Sequence, residues 1–216
     1  PVPVRFALQK LPDGTPTVHF ELGAYDPALP LVIDPLIFIT CIGSGADELA
    51  PAVQVLRDGS VLTLLQVEEL PFRMTPGAYD TTYNGLTDIV LARFDPTLRR
   101  LLFATYLGGS GTELAVGAGV DAEGNLYAIG NTNSPDFPTT VGAFRQQLNG
   151  GMDVFVTKLS PTGAALRFST YIGGNNDDIA TTAVVRSDGI TVIAGRTRSA
   201  NYPTTSAAHQ RTYAGN

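Results

Sequence analysis

A period of 65 residues runs through the chain without a gap, and it limits the possible folds more than any other feature. Phe38-Ile39-Thr40-Cys41-Ile42-Gly43 returns as Phe103-Ala104-Thr105-Tyr106-Leu107-Gly108, and again as Phe168-Ser169-Thr170-Tyr171-Ile172-Gly173. The alignment continues through Ala50/Ala115/Ala180, Val55/Val120/Val185, Gly59/Gly124/Gly189 and Thr75/Thr140/Thr205. Between 101–151 and 166–216, 18 of 51 paired positions are identical, so the third copy repeats whole elements of the second and not merely its turns. A fixed period of this kind marks a supersecondary unit that cannot bury its apolar face alone and stacks on copies of itself.

Each unit reads as four strands, which in the second unit are 101–107, 115–121, 125–131 and 153–159. The turn Asp121-Ala122-Glu123-Gly124-Asn125 has counterparts in Arg57-Asp58-Gly59 and Ser187-Asp188-Gly189, where glycine supplies the positive φ of a tight hairpin. Alternation around Val154 and Val156 fits a half-buried antiparallel strand, closed by Ser160-Pro161-Thr162-Gly163. The second strand lacks bulk: Ala115-Val116-Gly117-Ala118-Gly119-Val120, with Ala180-Thr181-Thr182-Ala183 in the third unit. Small residues inside a strand mark the close approach of another backbone, which places this strand at the inner edge of a radial array of sheets.

The connection 132–151, with equivalents 67–86 and 197–216, is long for a loop without structure of its own. It carries Phe137-Pro138-Thr139-Thr140, matched by Tyr202-Pro203-Thr204-Thr205 and loosely by Phe72-Arg73-Met74-Thr75. An aromatic that recurs in every unit predicts a packed loop with a short helical turn, in preference to a ligand-binding aromatic. Residues 1–35 fall outside the period. Val4-Arg5-Phe6-Ala7-Leu8-Gln9-Lys10-Leu11 alternates like a strand, Pro12-Asp13-Gly14 turns it, and Val18-His19-Phe20-Glu21-Leu22 makes a second. This is a β-rich lead-in, read as the tail of an upstream domain. The predicted class is all-β, with four-stranded antiparallel sheets over 36–216 in units 36–100, 101–165 and a truncated 166–216.

Composition excludes several classes. A hydrophobic fraction of 44% is ample for a packed core and argues against disorder. The net charge of −6 supplies no basic stripe to displace phosphate counterions, so a nucleic-acid partner is disfavoured, and Arg99-Arg100 reads as a solvated turn. No apolar run reaches the roughly 18 residues of a membrane span. The one cysteine, Cys41, stands where the other units have Tyr106 and Tyr171; it is expected as a buried, inert thiol in an apolar strand. The opening at Pro1 reads as that of a processed protein or an excised piece.

Several of these motifs resemble a family, the SBBP repeat of bacterial and archaeal surface proteins, which builds β-propellers. They are Phe168-Ser169-Thr170-Tyr171-Ile172-Gly173-Gly174, Phe103-Ala104-Thr105-Tyr106-Leu107-Gly108-Gly109, Asp153-Val154-Phe155-Val156-Thr157-Lys158-Leu159 and Asp136-Phe137-Pro138-Thr139-Thr140. The lead-in, from Phe20-Glu21-Leu22-Gly23-Ala24-Tyr25 to Ile33-Asp34-Pro35, is similar to the end of the β-rich domain that commonly precedes such repeats. The resemblance implies a β-propeller-like array of about three blades in an incomplete ring. It also implies an extracellular or cell-surface setting, on the periplasmic side in some cases, and brings no catalytic residues to transfer. Unit one departs most, with Cys41 for the aromatic, Ser44 for the second glycine and Leu65 for Gly130/Gly195.

Reactive constellations are sparse. His19 and His209 are the only histidines, and His209 takes the place of Phe144 and Tyr79 in register, which favours loop packing over catalysis. Neither a nucleophile elbow nor a His-Glu-x-x-His pattern occurs. Catalytic, cofactor-binding and metal residues are therefore all expected to be none. Acids do recur after the first strand, at Asp47/Glu48, Glu113 and Asp177/Asp178. Calcium asks for six to eight oxygens, which one or two acids per unit do not supply unless neighbouring units converge. A solvated turn or a cap on backbone amides is the favoured reading, with calcium left open.

The expected function is a non-catalytic structural or interaction module of a secreted or surface protein, contacting protein or glycan. The alternatives are a scaffold subunit of an extracytoplasmic complex, or an enzyme at the channel, for which only scattered polar residues such as Gln54 and Arg186 speak. Expected partners are other blades of the same or another chain, or envelope components. Propellers close with about 4–8 blades. Further blades of a longer chain, pooled blades of two chains, or Val4–Leu11 completing the last blade would each address that shortfall.

Overall fold

The computed structural model describes residues 4–10, 16–24, 48–68 and 72–215. The chain divides into two compact units, Pro1–Ile39 and Thr40–Asn216. In the first, β1 (Val4–Lys10) pairs antiparallel with β2 (Pro16–Leu22), with Val4 opposite Leu22 and Lys10 opposite Pro16. The sequence admits residues 4–11 as the closing strand of the last blade; the partner found for β1 is β2, in a two-stranded sheet of their own. The Pro12-Asp13-Gly14 turn and the 38–43 motif with Cys41 lie outside the described residues.

The second unit holds two four-stranded antiparallel sheets and a strand pair. The first blade runs β3 (Glu48–Val55), β4 (Val61–Val67), β5 (Asp88–Phe94) and β6 (Leu101–Leu107). The second runs β7 (Glu113–Val120), β8 (Leu126–Thr132), β9 (Asp153–Leu159) and β10 (Leu166–Ile172). The third consists of β11 (Asp178–Val185) and β12 (Thr191–Thr197). No α-helix occurs among the described residues, so the long connections are turns and bends without the expected helical turn.

Blade and sequence unit are out of phase by one strand. Residues 101–107, read from sequence as the first strand of unit two, close the sheet of unit one, with Ala104 opposite Ala92 and Tyr106 opposite Val90. The reason is local. The turn after β5 is tight, with the Asp95 carboxylate accepting from the Arg99 and Arg100 amides (3.0 and 3.1 Å), and so returns β6 alongside β5. Residues 108–112 then carry the chain to the next blade. Self-similarity fixes a period but leaves the cut point free.

The leading strands β3, β7 and β11 pack against one another in succession, as their small residues predict. A methyl group on Gly119 would overlap the Val185 side chain of β11, and one on Gly117 would press on the Ala183 carbonyl. Each leading strand carries a bulge at the same repeat position: the ladder is broken between Leu49 and Ala52, Ala115 and Gly117, and Ala180 and Thr182. Pro51, which has no amide hydrogen to give, sits in the first of these gaps.

The cores lie between the blades and follow the period-two alternation of the strands. Leu62, Leu64, Ile89, Leu91, Phe103 and Leu107 of blade one meet Leu126, Ala128, Phe155 and Leu159 of blade two. The opposite faces of β8 and β9 present Tyr127, Ile129, Val154 and Val156 to Ala180 and Val185 of β11. Phe137 of the long connection is buried against Phe155 (centroids 4.5 Å apart) and Tyr171 (6.0 Å), as expected for a packed loop.

Candidate functional site

Three places could carry function: a lateral groove beside β12, a recess where the hairpin turns converge, and the acids at the blade junctions.

The groove measures about 500 Å³ and is lined by Tyr127, Val156, Phe168, Ile172, Thr191 and Ile193, among others. Shifted back by 65 residues, these six positions become Leu62, Leu91, Phe103, Leu107, Leu126 and Ala128, all members of the packed core between blades one and two. There, Phe155 and Leu159 of β9 complete the packing. The groove is thus the position that the third strand of a blade covers. β12 pairs with β11 alone, and its side chains are largely exposed where those of β8 are all buried.

The recess holds about 350 Å³ and draws its wall from all three blades, including Gln54, Arg57, Asp58, Arg93, Asp121 and Ser187. Gln54 Oε1 is buried there without a hydrogen-bond partner. Arg93 pairs with Asp58 (2.6 Å), and Lys158 pairs with the buried Asp121 (2.7 Å) while lying over the Tyr127 ring. Burial opposes ionisation of Asp121, but hydrogen bonds from Lys158 and Asn125 outweigh it and hold the carboxyl down to about 2. Arg186 is exposed and pairs with Asp188 in its own turn.

The recurrent acids divide. Glu113 and Asp178 are fully buried, each at the start of a leading strand, and so are not solvated. They act as caps: Glu113 Oε2 accepts from the Gly109 amide (3.0 Å), and Asp178 Oδ2 accepts from the Gly174 amide (2.6 Å). Thr132 and Ser134 donate to Glu113 Oε1 (2.6 and 2.5 Å), and Ser199 donates to Asp178 Oδ2 (2.7 Å). Asp177 points outward to Arg198 (3.3 Å). Asp47 and the Glu48 side chain lie outside the described residues.

Sequence reading missed the acids that face these caps. Asp88 and Asp153 begin β5 and β9 and are fully buried. Their recurrence 65 residues apart, each at the head of an apolar run, was the available signal. Burial is the main cause that pushes Asp88 up to about 7, against the Asn84 amide and with help from the Glu113 charge. Burial likewise raises Glu113 and Asp153 above the ordinary carboxylate range. Among the described residues no group of three or more His, Cys, Asp and Glu forms a metal cluster. His209 is exposed, and the His19 side chain lies outside the described residues.

Residues 102–138 match the SBBP family model, a beta-propeller repeat. The match begins in β6 of the first blade and runs through β7 and β8 of the second, so the family unit straddles two sheets just as the period does. No curated protein matches the chain. The chain therefore carries an SBBP beta-propeller repeat, within an all-β array of four-stranded antiparallel blades whose ring is not closed.

Proposed function

We propose that this chain is a non-catalytic interaction module of a secreted or cell-surface β-propeller protein, and that its main contacts are to further propeller blades. The observation that carries the reading is the lateral groove, where a free strand edge lies beside apolar side chains in the place that β9 fills one junction earlier. An exposed edge supplies main-chain hydrogen bonds, and alternating pockets supply specificity, which is how an extended segment adds to a sheet. At the opposite end of the array, Leu49, Val53 and Val55 of β3 are exposed, offering an apolar face to a preceding blade. Among the described residues, catalysis has little to draw on. The recess presents ion pairs and an amide but no nucleophile set beside a base. The secreted or surface setting rests on the family's character.

A peptide with the sequence of residues 151–160 tests the central part of this reading. It should bind the chain saturably, as read by fluorescence anisotropy, and Ile193→Asp in the groove should abolish the binding. A scrambled peptide binding equally well would overturn the reading, as would no binding by either peptide.

A further inference from the structure

We propose that the junction between blades one and two is fastened by a buried carboxylic acid–carboxylate pair that shares one proton, Asp88 with Glu113, with Asp153 and Asp178 as the corresponding acids of the next junction, so that the first two blades hold together more firmly in mildly acidic than in alkaline surroundings.

The pairs are built by the backbone. The Glu113 amide donates to the Thr87 carbonyl (2.8 Å), and the Asp178 amide donates to the Met152 carbonyl (2.7 Å). Each bond ties the first residue of a leading strand to the residue just before the buried aspartate of the previous blade. All four carboxyl groups are fully buried. A methyl group on Gly108 would overlap both Asp88 Oδ1 and Glu113 Oε2, so the two oxygens crowd the same side of one glycine. On Gly173 it would overlap the Asp153 carboxyl.

The hydrogen-bond inventory leaves a place for one proton. Asp88 Oδ2 accepts from the Asn84 amide and Asp153 Oδ2 from the Asn149 amide, both at 2.9 Å. Asp88 Oδ1, Asp153 Oδ1 and Asp178 Oδ1 are buried with no partner at all. A carboxylate oxygen can only accept, so two facing carboxylates satisfy nothing in each other and repel. Once protonated, Asp88 Oδ1 becomes a donor aimed at Glu113 Oε2, and one negative charge leaves a site that water does not reach. Calcium would ask for six to eight oxygens, whereas most of those here already accept hydrogen bonds.

The surroundings differ between the junctions. Asp80, Tyr106 and Tyr171 face the first pair, with Asp136 beyond Glu113, and none of these is cationic. Arg145, Tyr171 and Tyr202 face the second, and the Arg145 charge favours ionised Asp153. The shared proton is therefore assigned to the first junction, where no cation opposes it.

The sign follows from linkage. Asp88 has an ordinary value of 3.8 and is raised to about 7 in the fold, so the folded chain binds a proton that the unfolded chain has released. Its contribution is fully present below 3.8 and is lost as pH rises through about 7. The Asp121–Lys158 pair runs the other way, being lost only as pH falls towards about 2.

The test is thermal unfolding of the chain at pH about 5 and 8, alongside Asp88→Asn and Glu113→Gln, with calorimetry at pH about 6 in two buffers to count protons. The wild type should melt about 5–10 °C higher at the lower pH and take up about one proton on folding. Asp88→Asn should lose most of the difference, because an amide donates without titrating, and should melt higher than wild type at the upper pH. General charge repulsion would survive in Asp88→Asn, so a retained difference overturns the proposal. A flat wild-type profile overturns it too, as does a rise in melting temperature with millimolar calcium at the upper pH that Asp88→Asn removes. Should neither variant fold, the wild-type proton count decides: about one supports the shared proton, and none overturns it.

Discussion

Tyr171 joins parts of the chain that are far apart in sequence. Its hydroxyl donates to the Ser134 carbonyl (2.6 Å) from within the core, while Thr170 Oγ1 beside it accepts from the Arg145 amide (2.9 Å) and donates to the Arg145 carbonyl (3.1 Å). In the previous unit, Thr105 clamps Asp80 likewise, and Tyr106 accepts from the Phe72 amide (2.8 Å). The recurrent Phe-x-Thr-Tyr motif is thus a clasp for the long connection. Tyr171→Phe leaves the ring in place and leaves the Ser134 carbonyl only the long bond from the Phe137 amide (3.4 Å), so it should cost about 1 kcal/mol in urea unfolding; an unchanged midpoint would contradict the clasp. The motif was legible because it recurs. Its acceptors were not, since Ser134 lies 37 residues away and periodicity says nothing about contacts at that range. Asp88 and Asp153 were hidden differently: a charged residue at the head of a strand ordinarily faces solvent, and only the fold shows that the next blade covers these two.

Among the elements, the leading strand was read most fully from sequence. Glycine and alanine in β7 signalled close approach, and the structure supplies the partner as Ala183 and Val185 of β11. Gly119→Val should therefore force β7 and β11 apart and destabilise by about 2–3 kcal/mol. Gly119 has no positive φ, so the loss reports on packing, and an unchanged urea midpoint would remove close packing as the explanation. The phase of the blade was not legible at this scale. The sequence shows a cycle of four strands, but a cycle has no first member. Which strand closes the sheet depends on whether the tight turn at Asp95 or the glycine-rich passage after Leu107 changes blade, a difference in geometry more than in composition.

In the whole molecule, sheet closure and blade stacking become one problem. Because β6 and β10 begin new sequence units yet finish the sheets of the units before them, each four-stranded blade depends on the next copy of the repeat for its last strand. The open edge of β12, the groove beside it and the buried acid pairs all lie at junctions between successive copies. Strand pairing tests this arrangement most directly. In solution, NMR cross-strand contacts should join Val90 to Tyr106 and Ala92 to Ala104, placing β6 against β5. Contacts joining residues 103–107 to 115–119 instead would put β6 beside β7, within its own sequence unit, and would contradict the shared closure of the blades.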